Sequence, residues 1–551
     1  MKKEKKLSGI GAGIVLALCI SFLFGIYAPL ELYLTNISEF WLKLTDLVPA
    51  AAVIFGVCFI GLSVAYIIAR LINKKFYGVC LAVGSAFLLS TYIQGNFLIK
   101  NLPSMSGEII KWNTYTSEII KSALAFVIPF AILLFVLIKF KTKIMSKVAF
   151  IGGICFTLLF AVTLTSLCMT TDLSKPETLA STEKNEFQMS EDRNLLVLIL
   201  DTIDSNNFIK AIESDPEVVD SLNGFTYYKN TLAAYPYTSR AIPMLFSGKW
   251  FENETSYQEY ATSAISGSPF VKALEKDNYN ICFYETGEFG LTAEAFKGRF
   301  DNCYTSSVNY KTKYIYGLTI KMAGLKFAPW ILKQYCGNID EYENLARNVN
   351  SEYKQFNWSD LEFYNKVKDS NPVTTTSEKC ARIIHLEGGH IPCNRDKYFN
   401  LTESGNFQGK LEACTTMLRQ YFARLKESGV YDNTAIVIVA DHGFAGNDLS
   451  DEYNLKKRMN PALLVKGVGE KHKLQYNDAP IAYDEIADGI AKLVDKTTGD
   501  KIFDTAEGET KTRRMILFAY NDENHMAEYT TDGRADDPDS MIATGNKYDA
   551  K

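Results

Sequence analysis

"NLLVLILD", residues 194 to 201, is an unbroken aliphatic run closed by an acid. A strand with one wet face alternates apolar and polar side chains; a continuous run fits a strand buried on both faces, as in a parallel sheet covered by helices. "TAIVIVADHG", Thr434 to Gly443, repeats the design, and "ARIIHLEGGH", Ala381 to His390, is a third version with histidine in place of the acid. Between such runs lie helix-like stretches. In "GKLEACTTMLRQYFARLKESGVYDN", residues 409 to 433, leucines and aromatics recur at helical spacing and the pattern stops near Gly429. The expectation is an α/β domain, in which ligands gather at the carboxyl ends of the strands. Asp201, His385 and the Asp441, His442 pair all project there. "RRMILFAYNDENHMAEYTTDG", residues 513 to 533, reads as a late strand followed by an acidic, polar tail.

Toward the N-terminus the composition changes. The chain has 551 residues, 47% of them hydrophobic, and long apolar runs crowd its first third. They cover Ile10 to Leu30, Leu47 to Ile68, Gly78 to Ile99, Ile119 to Ile138 and Val148 to Leu167. Each is close to the roughly 20 residues that a helix needs to cross a bilayer, so five spans are expected. The first is too long, and is followed by too many others, for a cleaved signal peptide. Lys and Arg concentrate in "MKKEKK", in "ARLINKKF" and in "KFKTKIMSK", whereas the connection after the first span is acidic on balance. That bias sets the N-terminus in the cytoplasm and, with an odd number of spans, everything after Leu167 on the far side. The expected organisation is a membrane domain over residues 1–168, a polar linker over 169–193 and a catalytic domain over 194–551, in the plasma membrane.

The net charge is −5 and no basic stripe stands outside those connections, which argues against nucleic acid as a partner. Cys282, Cys303, Cys336, Cys380, Cys393 and Cys414 follow the spans. Six cysteines allow 15 pairings; Cys282 with Cys303 is the preferred one, against six buried free thiols.

Only five histidines occur, and three of them, His385, His390 and His442, fall in the strand-end motifs. With Asp201 and Asp441 they supply donors for one divalent metal: zinc or manganese, with magnesium tolerated. Such a metal lowers the pKa of a coordinated hydroxyl and neutralises charge on a transferred phosphoryl or sulfuryl group. "YPYTSRAIPMLFSGKW", residues 235 to 250, offers two hydroxyls, Thr238 and Ser239, beside Arg240. One of them is the nucleophile, or else they cap the following helix.

Together these motifs resemble the alkaline phosphatase and sulfatase superfamily. With the spans in front, the chain looks like its membrane transferases, the lipid A phosphoethanolamine transferases and the lipoteichoic acid synthases. The resemblance implies Asp201, Thr238, Asp441 and His442 as metal ligands, Asp201 standing where these transferases often carry Glu. It selects Thr238, five residues before Pro243, as the nucleophile, with Ser239 and Arg240 steadying the substrate. "HLEGGHIP" is similar to a His-x-x-x-x-His-x-Pro signature, which makes His385 and His390 the residues that hold the phosphoryl group and shuttle the acceptor's proton. The implied reaction moves a phosphoethanolamine or phosphoglycerol headgroup from a membrane phospholipid to a cell-envelope glycan or lipid through a phospho-threonine. Two features depart from the pattern. No histidine follows "DHG" by about a dozen residues, which leaves phosphoglycerol open as the headgroup. Pro243 comes after Arg240, which fails the Cys-x-Pro-x-Arg spacing of a sulfatase proper. A hydrolase of the same superfamily and an inactive glycan-binding relative are the alternatives.

Overall fold

The computed structural model describes residues 9–549, apart from 38–39, 41, 100–101, 103–111, 174–178, 287–295, 297, 306–307, 338, 340–341, 343–344, 346, 350–352, 403, 447–450, 496–497, 520–521 and 523. The chain divides into two compact units, one of residues 1–175 and 308–350, the other of 176–307 and 351–551.

The first unit is helical. Helices α1 (Gly11–Thr35), α2 (Leu44–Ile72), α3 (Lys74–Phe97) and α4 (Thr116–Thr170) are the four, among the described residues, that are long and apolar enough to cross a membrane. A π-helical turn, Leu23–Tyr27, interrupts α1. At 55 residues α4 would run for about 80 Å if straight, but the backbone leaves helical geometry at Lys141, with φ 61° and ψ 174°. The fourth and fifth expected runs lie on the two sides of that break. Close approach between helices depends on small residues: a Cβ at Gly25 in α1 would come within 2.6 Å of the Phe55 backbone in α2.

The catalytic domain was expected to be continuous over 194–551, and here the structure differs. Residues 308–350 leave it and fold with the long apolar helices. The insert helix, Thr312–Phe327, buries Leu318, Met322 and Leu325 in one cluster with Leu30, Tyr33, Leu34 and Leu47. Phe327 packs near Tyr27, ring centroids 6.0 Å apart, and Lys326 pairs with Glu31. An apolar helix face needs cover, and the bundle supplies it.

The second unit carries a seven-stranded sheet. In chain order its strands are β1 (Asn194–Leu200), β2 (Thr226–Tyr228), β3 (Asn280–Tyr284), β4 (Cys380–Leu386), β5 (Thr434–Ala440), β6 (Leu463–Lys466) and β7 (Gln475–Asn477). Their spatial order is β7-β2-β6-β5-β1-β4-β3. β5, β1, β4 and β3 run parallel, while β6 is antiparallel to β5 and β2. All seven residues of β1, β4 and β5 are buried. Alternate residues serve opposite cores: Leu195, Val197 and Ile199 face one, Leu196, Leu198 and Leu200 the other. This two-sided burial is why the runs are aliphatic without alternation. Helix α5 (Thr238–Ser247) covers the first face with Ile242, Met244 and Phe246. Helix α6 (Phe407–Glu427) covers the second with Leu411, Met417 and Phe422.

Three expectations are corrected here. The linker is partly structured, with short strands at Leu179–Ser181 and Gln188–Ser190 pairing with Cys303–Thr305 and Thr374–Thr376. The C-terminal tail is no tail: β8 (Arg513–Leu517), β9 (His525–Thr531) and β10 (Ile542–Asp549) form an antiparallel sheet. Cys282 and Cys303 are free thiols, as are the other nine cysteines, and the Cys303 thiol donates to the Phe283 carbonyl at 3.4 Å.

Candidate active site

The central parallel strands end side by side, so their next residues meet. The Asp201 amide donates to the Leu386 carbonyl at 3.1 Å and the Gly389 amide to the Asp201 carbonyl at 2.7 Å, which ties the end of β4 to the end of β1. On the other side, Asp441 Oδ1 accepts from the Thr202 amide at 3.0 Å and from the His442 amide at 2.8 Å. The strands alone therefore fix both acids. His442 Nδ1 stands 3.0 Å from the Gly443 carbonyl, so it carries the proton and leaves the Nε2 lone pair facing the cleft. That Nε2 is 3.4 Å from Asp441 Oδ2 and 3.8 Å from Asp201 Oδ1.

Thr238 reaches the same point from α5, its hydroxyl 3.4 Å from His442 Nε2. The helix cap is Tyr237, and Thr238 is the first helical residue; its hydroxyl makes no cap. That removes the capping alternative for Thr238 and sets a buried hydroxyl at a helix N-terminus, where backbone N–H groups favour an anion. Pro243 lies inside this helix and has no N–H for the carbonyl four residues back. That carbonyl, of Ser239, is served instead by the Tyr257 hydroxyl.

Asp201, Asp441 and His442 are buried, and their donor atoms all lie within 4.8 Å of one another. Asp441 Oδ2 is buried with no hydrogen-bond partner, an arrangement that costs stability unless a cation completes it. The residues fit a divalent metal, with the Thr238 hydroxyl as a further oxygen donor.

His385 is the penultimate residue of β4, on the side of β3. The parallel register pairs Ile384 with Tyr284, so the following residues meet, and His385 Nδ1 lies 2.5 Å from Glu285 Oε2. Burial alone would lower the imidazole pKa; the Glu285 carboxylate outweighs it and raises the value to about 9. His390 is half-buried, its Nδ1 2.7 Å from the Ile391 carbonyl. The Trp358 ring stands between the two, its centroid 5.7 Å from that of His385 and 5.3 Å from that of His390. Burial raises the Asp201 pKa, yet it ends below the ordinary value because His390, His442 and His385 all favour its charge. His442 is lowered, by burial first and then by the Arg458 guanidinium.

The structure thus gathers Asp201, Thr238, Asp441 and His442 at one point, with His385 and His390 on the β4 side. Arg240 goes elsewhere: its guanidinium lies 3.9 Å from the Tyr257 ring centroid and 4.8 Å from that of Phe251. Glu387 pairs with buried Lys410 at 3.1 Å, beside Asp360. Sequence reasoning missed Glu285, Trp358 and Arg458. For Glu285 a signal existed, since "NICFYE" is another apolar strand closed by an acid; Trp358 and Arg458 lie in segments without periodicity.

Several solved structures are similar to the chain. The C-terminal periplasmic domain of EcEptC from Escherichia coli is 13% identical with TM-score 0.32, covering 67% of this chain and 96% of that one. The lipoteichoic acid synthase LtaP from Listeria monocytogenes is 13% identical with TM-score 0.34, covering 68% and 90%. Ps i-CgsB in complex with a neocarrahexaose is 14% identical with TM-score 0.38, covering 62% and 82%. No curated protein matches the chain. The sulfatase family model, in contrast, matches residues 193–496, from the residue before β1 to the end of the sheet domain's last long helix, and the chain belongs to the sulfatase family.

Proposed function

We propose that this protein is a membrane-anchored phosphotransferase that moves a phospho-alcohol headgroup, phosphoethanolamine or phosphoglycerol, from a phospholipid to a cell-envelope glycan or lipid. The observation that carries the reading is the placement of Thr238: a buried hydroxyl on a helix N-terminus, 3.4 Å from His442 Nε2, beside two buried acids. The four apolar helices support it, because anchoring a catalytic domain at the bilayer raises the effective concentration of a lipid donor. In this reading the domain lies outside the cytoplasm, as the Lys and Arg bias requires.

Asp201, Asp441, His442 and the Thr238 hydroxyl hold the divalent ion, zinc or manganese, which when bound activates that hydroxyl and neutralises phosphoryl charge. Thr238 Oγ attacks phosphorus as the P–O bond to diacylglycerol breaks, so that Thr238 carries the phospho-alcohol group and its hydroxyl proton leaves with the diacylglycerol oxygen. An acceptor hydroxyl then displaces Thr238 and takes the phospho-alcohol group. His385, kept protonated by Glu285, is suited to donate to a phosphoryl oxygen. That leaves His390 for the acceptor's proton. Ser239 and Arg240 act on substrate through the placement of α5.

The test uses reconstituted protein, headgroup-labelled phosphatidylethanolamine and phosphatidylglycerol, and an envelope fraction as acceptor. Label appearing in the glycan or lipid of that fraction supports transfer and names the headgroup. Label released only as free phospho-alcohol, at a rate indifferent to acceptor, identifies a hydrolase instead. No turnover with metal bound identifies a binding relative.

A further inference from the structure

The insert carries apolar side chains that the bundle does not cover. Ile331, Leu332 and Tyr335 are 60%, 46% and 67% exposed. They stand on the short helix Trp330–Lys333 and just beyond it, next to a tryptophan that is itself buried. Trp330 is wedged between two long helices of the same unit. Its indole N–H donates to the Leu98 carbonyl just past α3 at 3.2 Å, and its amide donates to the Ser122 hydroxyl in α4 at 3.1 Å. The wedge fixes where the exposed residues emerge: beside the end of α3 and the start of α4.

The neighbouring surface of those helices is apolar too. Phe97 in α3 and Ile120 and Leu124 in α4 are exposed. Apolar side chains massed in this way need a partner, and on helices of this length and composition the partner is the hydrocarbon of a bilayer. Ile331 and Leu332 extend the same surface past the helix ends. Its rim is aromatic: the Tyr115 ring stacks on Trp330 with centroids 5.2 Å apart, and Trp112 meets it at 6.2 Å. Such residues favour the membrane–water boundary.

A segment at that boundary is stable only if its backbone polar groups are paired. The Leu332, Tyr335 and Cys336 amides donate to the Pro329, Leu332 and Lys333 carbonyls at 2.8, 3.1 and 2.9 Å. Lys321 Nζ donates to the Tyr335 carbonyl at 2.7 Å, and buried Lys333 turns its ammonium back onto the Leu325 and Lys326 carbonyls. The apolar side chains are thus held outward by a turn stapled to itself and to the insert helix.

We propose that Ile331, Leu332 and Tyr335 are an interfacial membrane anchor, seated in the headgroup and upper acyl region of the bilayer where α3 ends and α4 begins. The occupant of this surface is lipid. The assignment rests on the membrane-anchored reading above and adds to it, because residues 308–350 interrupt the chain of the catalytic unit. Their anchoring ties that unit to the bilayer a second time, separately from its connection to α4.

Full-length protein in vesicles of phosphatidylethanolamine and phosphatidylglycerol tests this, with the photoreactive p-benzoylphenylalanine in place of Ile331, of Tyr335 or, for comparison, of Leu124. All three side chains are exposed, so the replacements leave the packing intact, and at Tyr335 the new side chain keeps a phenyl ring. After irradiation, intact mass spectrometry should find phospholipid adducts at all three positions. An adduct at 124 but none at 331 and 335 overturns the anchor and leaves the membrane reading standing; a crosslink from 331 or 335 to a second copy of the chain would then name the true occupant. No lipid at any position overturns both.

Discussion

His385 and Glu285 form the site's most tightly held pair, and their chemistry carries a sign. The imidazole pKa is raised from 6.5 to about 9 by the adjacent carboxylate, against the opposing effect of burial. Between those values the folded protein holds a proton that the unfolded chain has released. The pair's contribution is therefore full below the unfolded pKa and is lost as pH rises toward the folded one. At 1.36 kcal/mol per unit the contribution is about 3 kcal/mol. Glu285→Gln in metal-stripped protein should accordingly melt well below wild type near pH 6.5, and the gap should close near the folded value of about 9. A gap of constant size would mean that the histidine is neutral throughout. At this scale the sequence was most legible for residues that end aliphatic runs: Asp201, His385, Asp441 and His442. Glu285 obeys the same rule but lacked a motif beside it, and Arg458 arrives from a helix end that no local pattern ties to the sheet.

Among the elements, the parallel strands could be read because burial on both faces leaves an unmistakable composition. The shorter β2, β6 and β7 could not, being only three or four residues long and leading out to one edge of the sheet. Nor could β9 and β10. In β10 only one residue is even half-buried, so polar side chains dominate and mimic a tail. Where the elements meet, glycine decides the spacing. Gly389 lets the loop after β4 lie on the loop after β1: a Cβ there would come to 2.3 Å from the Thr202 carbonyl oxygen and 3.0 Å from Phe407. Gly389→Ala should force those loops apart, costing about 1–3 kcal/mol of stability and roughly 10-fold in metal affinity through the disturbed support of Asp201. Denaturation midpoints and a competitive zinc titration measure both. Gly409→Ala is the control, since a Cβ there has only ordinary contacts, the nearest at 3.5 Å from the Arg395 carbonyl; normal zinc affinity in Gly389→Ala would mean that the glycine serves folding alone.

At the scale of the molecule, the apolar runs announced the long apolar helices, but nothing in composition marked residues 308–350 as their companion. The insert carries Lys313, Lys321 and Lys326 among its apolar residues and so escapes a hydropathy criterion, while Leu318, Met322 and Leu325 find their partners only in three dimensions. A solubility experiment follows. Residues 176–551 made without the membrane helices should aggregate or require detergent, because the insert exposes the face it normally buries. The same fragment with 308–350 replaced by a short Gly-Ser linker should be monodisperse in size-exclusion chromatography without detergent. If the unmodified fragment is equally well behaved, the insert belongs with the catalytic domain instead.

The central claim is that Thr238 carries the transferred group. Intact mass spectrometry of metal-loaded wild type and Thr238→Ala, after incubation with phosphatidylethanolamine or phosphatidylglycerol, tests it most directly. The account predicts a phospho-alcohol adduct on the wild type, mapped to the peptide spanning Thr238, and none on the variant with its metal and fold intact. An adduct of the same mass on Thr238→Ala, or no adduct on metal-loaded wild type that turns over lipid, would contradict it.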